Sequence, residues 1–334
     1  MTVKRGFQSI GLLLFFCGLA AFTACQKREK PEEGGVSTDH KGIILGFSQI
    51  GAESAWRTCN TRSVQEAAEE AGIQLLFSNA EQKQENQIKA IRSFIAYQVD
   101  VIAFVPIVSA GWGNVLREAK EAGIPVLVTD RKIDIQDESL YAGFIGTDSV
   151  QEGRAAAEFL LKKFETLPPG GPVRIVELSG TVHSSAATGR AQGFREVLKS
   201  HPRFEIIYSE SGDFMRSKGL ELMRSVLQTF TQIDVIFSHN DGMTLGVLDA
   251  MKEKNLKPGT DIIIVTVDAE QAAIDALKRG EINCVIECNP KQGPGIMELA
   301  RKLAKGEPIP RQIHVEEEVF YEWDDLSGLP PRGY

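Results

Sequence analysis

Eight side chains, Trp56, Arg57, Asp130, Arg131, Arg190, Phe214, Asn240 and Asp268, are of the types that grip an uncharged polyol. Each sugar hydroxyl both donates and accepts, so a carboxylate or carboxamide takes its proton while a guanidinium donates to its oxygen. The rings of Trp56 and Phe214 suit the apolar C–H face of a sugar. Asn79, Asp213 and Asp241 belong to the same chemical set. Each residue also has a plain structural reading. Asp213, Asn240, Asp241 and Asp268 precede predicted helices and make good N-caps. A lone aromatic at a strand–helix junction packs into a core, and Asp130-Arg131 serves equally as a structural ion pair.

The elements that must position these residues argue for the joint reading. From Gly42 onward, short β-branched runs alternate with segments of helical period. Ile43 to Phe47, Val101 to Val105, Val126 to Val128 and Ile262 to Val265 are apolar on both faces, as strands of a covered parallel sheet must be. Between them, Ile88, Ile91, Phe94 and Ile95 fall at helical spacing, as do Ala155, Phe159, Leu160 and Phe164. The alternation occurs twice, with strands starting near Ile43, Ile73, Val101 and Val126 and again near Val173, Phe204, Val235 and Ile262. The predicted fold is α/β, two similar doubly wound lobes. In such sheets ligands bind beyond the carboxyl ends of the strands, and both halves offer polyol-binding groups there.

Composition narrows the function. The chain has 334 residues, 37 basic against 45 acidic side chains and a net charge of −8, with no long basic run. That disfavours nucleic acid, whose binding rests on neutralised phosphates. There is no GxxxxGK[ST] loop and no GxSxG elbow, and Gly111-Trp112-Gly113 lacks the third glycine of a dinucleotide fingerprint. No CxxC or HExxH spacing is present, so neither metal nor cofactor is expected, and the protein is read as a non-enzyme. A glycosidase pair of Asp130 with Asp268 or Asp241 is the enzymatic alternative.

Lys4 and Arg5 precede the nearly uncharged stretch Phe7 to Ala24, which reads as an export signal over residues 1–24. Its apolar part, Ile10 to Ala24, is short for a span of about 20 residues. The segment Phe22-Thr23-Ala24-Cys25 resembles a bacterial lipobox, which implies a lipidated Cys25 and a membrane-anchored, extracytoplasmic protein. Residues 25–41 carry almost nothing apolar and read as a tether. Cys59, Cys284 and Cys288 remain in the folded part. Cys284 and Cys288 sit four apart on one predicted strand, about 13 Å at 3.3 Å per residue, beyond disulfide reach. Free thiols are expected.

Longer stretches resemble a known family. GFSQIGAESAWR from Gly46, QKQENQIKAIRSF from Gln82, IPVLVTDRKID from Ile124, VELSGTVHSS from Val176, SGDFMRSKG from Ser211 and SHNDGMTLG from Ser238 are similar to type I periplasmic solute-binding proteins of bacterial ABC sugar importers. The Glu-Ser-x-Trp-Arg and Gln-Lys-Gln-Glu-Asn stretches look like the galactofuranose-binding branch. The resemblance implies a two-lobed clamp, monomeric, that closes on one monosaccharide and presents it to a membrane permease. Trp56 would stack on the sugar with Phe214 on the other face. Arg57, Asp130 and Arg131 would bind hydroxyls from one lobe, and Arg190, Asn240 and Asp268 from the other. It further implies three crossings, near Gly146, Cys288 and Glu317. Residues 42–146 plus 289–316 would then form the first lobe, and 147–288 plus 317–334 the second, joined by a three-segment hinge. Cys288 stands where ribose-binding relatives place Gln, and Ala269-Glu270 follows Asp268 where Gly is common. A sensor protein feeding a histidine kinase or chemoreceptor is the alternative role.

Overall fold

The structure is a computed structural model that describes residues 42–165 and 170–334. The export-signal, Cys25 and tether assignments therefore fall on residues outside those described. Chain order runs β1 (Ile44–Gln49), α1 (Ala55–Ala71), β2 (Gln74–Asn79), α2 (Gln84–Tyr97), β3 (Val101–Phe104), α3 (Gly113–Glu121), β4 (Val126–Asp130) and β5 (Gly143–Gly146). It then repeats as α4 (Ser149–Glu165), β6 (Val173–Ser179), α5 (Ser185–Leu198), β7 (Phe204–Ser211), α6 (Arg216–Thr229), β8 (Val235–Ser238), α7 (Asp241–Glu253), β9 (Ile263–Asp268), α8 (Gln271–Lys278) and β10 (Cys284–Glu287). A last passage adds α9 (Gly293–Ala304), β11 (Gln312–His314) and β12 (Val319–Tyr321).

Two six-stranded sheets result, ordered β11-β5-β4-β3-β1-β2 and β12-β10-β9-β8-β6-β7. All pairings are parallel except β10 with β12. Each sheet therefore repeats a 2-1-3-4-5 order whose direction reverses beside its first strand, which is where a doubly wound sheet opens a crevice.

The apolar runs are explained by cores on both faces. Val101 and Ala103 join a cluster with Leu45, Leu127 and Ile296. Ile102 and Phe104, one residue along, join Ile91, Trp112 and Leu116 on the opposite face. Successive side chains of a strand alternate sides, so a sheet covered twice requires apolar residues throughout. In the second sheet Ile236 faces one core while Val235 and Phe237 face the other.

Close helix packing fixes the second half. A Cβ on Gly153 of α4 would lie 2.1 Å from the Arg190 carbonyl of α5, and one on Gly193 would lie 1.9 Å from the Val150 carbonyl. The two backbones approach as they do because these positions carry no side chain. That approach sets the Arg190 side chain against Glu152.

Candidate functional site

Turns at the carboxyl ends of both sheets face each other across one crevice. Glu53, Ser54, Trp56 and Arg57 enter it from the start of α1, and Asp130 and Arg131 from the end of β4. Opposite stand Ala186 and Arg190 of α5, Phe214 before α6, Asn240 before α7, Asp268 ending β9, and Cys288 after β10. They line a narrow crevice with about 30 Å³ of free cavity, far below the roughly 300–1,000 Å³ of open small-molecule pockets, so the two sides stand close together. All eight residues singled out in the sequence line this one cavity.

On the first side, the Ser54 hydroxyl accepts the Arg57 N–H at 3.1 Å and starts α1. The Arg57 side chain then reaches two carboxylates: its Nε donates to Glu53 Oε1 at 3.0 Å and its Nη2 lies 2.8 Å from Asp130 Oδ2. Asp130 has φ 61, left-handed backbone that Asp tolerates better than most residues. Its Oδ2, though at ion-pair distance, is aligned with no hydrogen-bond donor. Arg131 donates from Nη1 to the Ile107 carbonyl at 3.3 Å and lies 3.8 Å from Glu53 Oε1. The Arg131 Nε and Glu53 Oε2 are buried without a hydrogen-bond partner. Buried polar atoms are nearly always partnered, so these three lining groups present vacant bonding directions suited to a ligand.

Electrostatics bind the cluster together. Burial alone would lower the Arg57 guanidinium, but Asp130 and Glu53 outweigh it and raise it above its ordinary value. Burial would raise the Glu53 carboxyl, yet Arg57 and Arg131 carry it below the usual range. Arg131 is less well paired. Burial and then repulsion from Arg57 bring it down to about 10.

On the second side, Arg190 pairs with Glu152 at 2.5 Å, donates to the His239 carbonyl and lies 3.8 Å from Asp268 Oδ1. The Phe214 ring sits 5.2 Å from the Arg131 guanidinium and 5.8 Å from that of Arg190, between arginines of the two sides. A Cβ on Gly180 would stand 1.8 Å from Phe214 Cζ, so this ring occupies space that only glycine leaves open. Burial pushes the Asp268 carboxyl well above the ordinary range; Asp241 and Glu270 add to the rise against the pull of Arg190.

The two readings of Asn240 are both realised. Its Oδ1 caps α7 by accepting the Met243 N–H at 3.0 Å, and its Nδ2 donates to the Phe214 carbonyl at 3.2 Å, all within the lining. Asp213 and Asp268 are not caps, since Met215 and Glu270 occupy those positions. Asn79 and Asp213 lie outside the lining. Asn79 accepts the Glu81 N–H at 2.9 Å, while Asp213 pairs with Lys218. Asp241 is buried behind the crevice, accepting from Thr266 and from the Glu270 N–H, each at 2.7 Å. Trp56 joins the core of the second sheet, its indole N–H donates to the Cys288 carbonyl, and the Arg57 guanidinium stands 4.6 Å from its ring centre.

The sequence assigns no binding role to Glu53, Ser54, Ala186 or Cys288, although the first two stand in the Glu-Ser-x-Trp-Arg stretch at the end of the first strand. The i,i+4 spacing of Glu53 with Arg57 was the available signal for the first. Cys59, Cys284 and Cys288 are free and buried. Among the described residues, Glu152, Cys288 and Glu317 place metal-ligand atoms within 4.8 Å of one another. Arg190, bonded to Glu152, already supplies positive charge there.

A family model for the periplasmic binding protein domain matches residues 45–308. The chain is 40% identical over 282 residues to the galactofuranose-binding protein YtfQ of Escherichia coli, covering 84% of this chain and 87% of that one. Among solved structures, a Mycobacterium smegmatis protein in complex with β-D-fucofuranose aligns with TM-score 0.84 and 47% identity over 87% of this chain and 95% of the other. The periplasmic binding component of an arabinose ABC transporter from Shewanella, bound to arabinofuranose, aligns with TM-score 0.80 and 41% identity over 84% and 92%. The matched region contains both repeats of the sheet and the crevice between them, and the chain belongs to the periplasmic binding protein family, in its type I fold.

Proposed function

We propose that this protein is the extracytoplasmic sugar-binding component of an ABC importer, and that its ligand is a monosaccharide in five-membered-ring form, galactofuranose or a related aldofuranose. One observation carries the reading. Three guanidinium groups, Arg57, Arg131 and Arg190, and three carboxyl groups, Glu53, Asp130 and Asp268, line the crevice, with Glu152 behind it against Arg190; they are already paired among themselves, with hydrogen-bonding directions left over. Burial favours the neutral form of the Asp268 carboxyl, which brings the set close to balance. An uncharged polyol satisfies the vacant donors and acceptors without upsetting that balance, whereas a phosphate adds unbalanced buried negative charge beside Asp130. YtfQ, a galactofuranose-binding protein, and the two structural relatives, bound to fucofuranose and to arabinofuranose, support the ring form. These relatives favour import over the sensor role, and the family binds solutes rather than transforming them.

Closing the two sides on the sugar would exclude water and strengthen each bond to Asp130 and Arg131. In this reading the lobes are 42–146 plus 289–316 and 147–288 plus 317–334, and the chain acts as a monomer anchored through a lipidated Cys25. A Cys25→Ser variant should then be released from membranes with its sugar affinity unchanged, and a wild type recovered with an unmodified N-terminus would refute the anchor.

The test of function is a thermal-shift and calorimetric screen of residues 26–334. Galactose, fucose and arabinose, each with a small furanose fraction in solution, should raise the melting temperature. A ligand that binds only the folded state adds about 2.7 kcal/mol at a hundredfold excess over Kd. A shift with a sugar phosphate or a nucleoside and none with any free aldose would overturn the reading.

A further inference from the structure

We propose that Glu270 is a positioning residue that latches the two lobes, setting the affinity for every ligand by the same factor without touching any of them. The inference rests on the two-lobed binding reading above, and four observations carry it.

First, an α-helix leaves its opening N–H groups without partners inside the helix. At the start of α1 the Ser54 hydroxyl accepts only the Arg57 N–H. The Trp56 N–H is taken instead by Glu270 Oε1, at 3.1 Å, from a residue 214 positions away that follows β9 of the other sheet. The cap of the first-lobe helix is thus completed by the second lobe.

Second, Glu270 is held ready. Its own N–H donates to Asp241 Oδ2 at 2.7 Å, and it is the N-cap residue of α8, its carbonyl accepting from Ala273 and Ile274 at 3.0 Å each. Third, it is only 5% exposed, yet it is absent from the crevice lining and forms no ion pair among the described residues. Its bonding partner of opposite polarity is the positive end of the α1 dipole. Fourth, the same residue that receives this latch also spans the crevice by its side chain, the Trp56 indole N–H donating to the Cys288 carbonyl. Arg57, the ligand-facing residue, is next in the chain.

Separation of the lobes would break the Glu270 bond and hydrate both ends. With Glu270 truncated, the closed form buries an unsatisfied Trp56 N–H, while the open form loses nothing comparable. The closed population falls, and apparent affinity falls with the fraction of molecules able to bind.

Glu270→Ala should therefore raise Kd by roughly 5- to 150-fold, the range expected for leaving one buried donor unpaired. The factor should be equal for every sugar that binds the wild type, and should arise mainly in the dissociation rate. Glu270→Gln keeps an acceptor of the same reach and should bind within about threefold of wild type. Small-angle scattering without sugar should find Glu270→Ala more open than wild type and Glu270→Gln. Unequal factors across the sugars, or an Ala variant that binds and scatters as wild type, would overturn the latch. Should no sugar bind the wild type, the functional reading fails alone, because the scattering comparison still decides the latch.

Discussion

Asp130→Asn separates ligand recognition from structural pairing at the centre of the crevice. The carboxylate is 7% exposed, with Oδ2 2.8 Å from Arg57 Nη2 but in line with no donor. A sugar hydroxyl donating to it would make a charge-assisted bond worth about 1.5–3 kcal/mol. Asparagine is the sharper probe than alanine because residue 130 has φ 61, a conformation that costs Asn less than Ala. Removing the charge leaves Arg57 anchored by Glu53 at 3.0 Å, so the guanidinium stays in place. At about 1.4 kcal/mol per factor of ten, sugar Kd should rise roughly 10- to 150-fold, with a melting temperature of the free protein lowered by a few degrees at most. Titration calorimetry on wild type and variant reads the first quantity and thermal unfolding the second. A variant that unfolds near wild-type temperature and binds within threefold of it would refute the reasoning, and would reduce Asp130 to the counterion of Arg57.

Two further outcomes follow from the packing and the buried acids. Burial, followed by the proximity of Glu152, pushes the Glu317 carboxyl up to about 10, against weaker opposition from the Asn289 N–H and Arg190. A carboxyl whose folded pKa is raised contributes most stability below its ordinary value of 4.5 and loses it as pH climbs toward the folded value. Glu317→Gln should therefore melt above wild type at pH 9, with the gap closing toward pH 5; a gap independent of pH would contradict the assignment. Gly193→Ala places a Cβ 1.9 Å from the Val150 carbonyl and must force α5 off α4. It should cost about 1–3 kcal/mol and weaken sugar binding through the displaced Arg190, and an unchanged melting curve would count against it.

The repeat of the sheet was legible because a strand covered on both faces has no polar alternation to obscure it, as Val101 to Val105 shows. The crevice was legible for the same topological reason, since only turns at strand ends can reach it. Chain position alone could not say which way a turn residue points. Asn79 and Asp213 stand at the proper ends, yet the first turns back to the Glu81 N–H and the second out to Lys218. Glu53 stands at the proper strand end in the sequence, but no role could be assigned to it there, because its value comes from Arg131, 78 positions on. Trp56 illustrates a different limit. Its ring lines the cavity, but the structure also ties its indole N–H to the hinge carbonyl of Cys288 and sets the Arg57 guanidinium over its face. Such partners come from remote segments and leave no local pattern.

These partners explain why recognition and closure would be inseparable in this fold. The first turn of α1 carries three functions on adjacent residues: Ser54 fixes the helix start, Trp56 meets Glu270 and Cys288 of the second lobe, and Arg57 reaches Asp130 in the first. A rigid helical turn cannot move one of these without the others. When the lobes part, the Trp56 contacts break and the crevice opens beside Arg57 and Asp130. On the proposed reading, a bound sugar would bridge groups on both sides, Arg131 and Asp130 facing Arg190 and Asp268, and so would favour the state in which Trp56 is capped. The ligand shifts the equilibrium only by its differential contacts with the closed form, and that form is built on a helix end that neither lobe completes by itself.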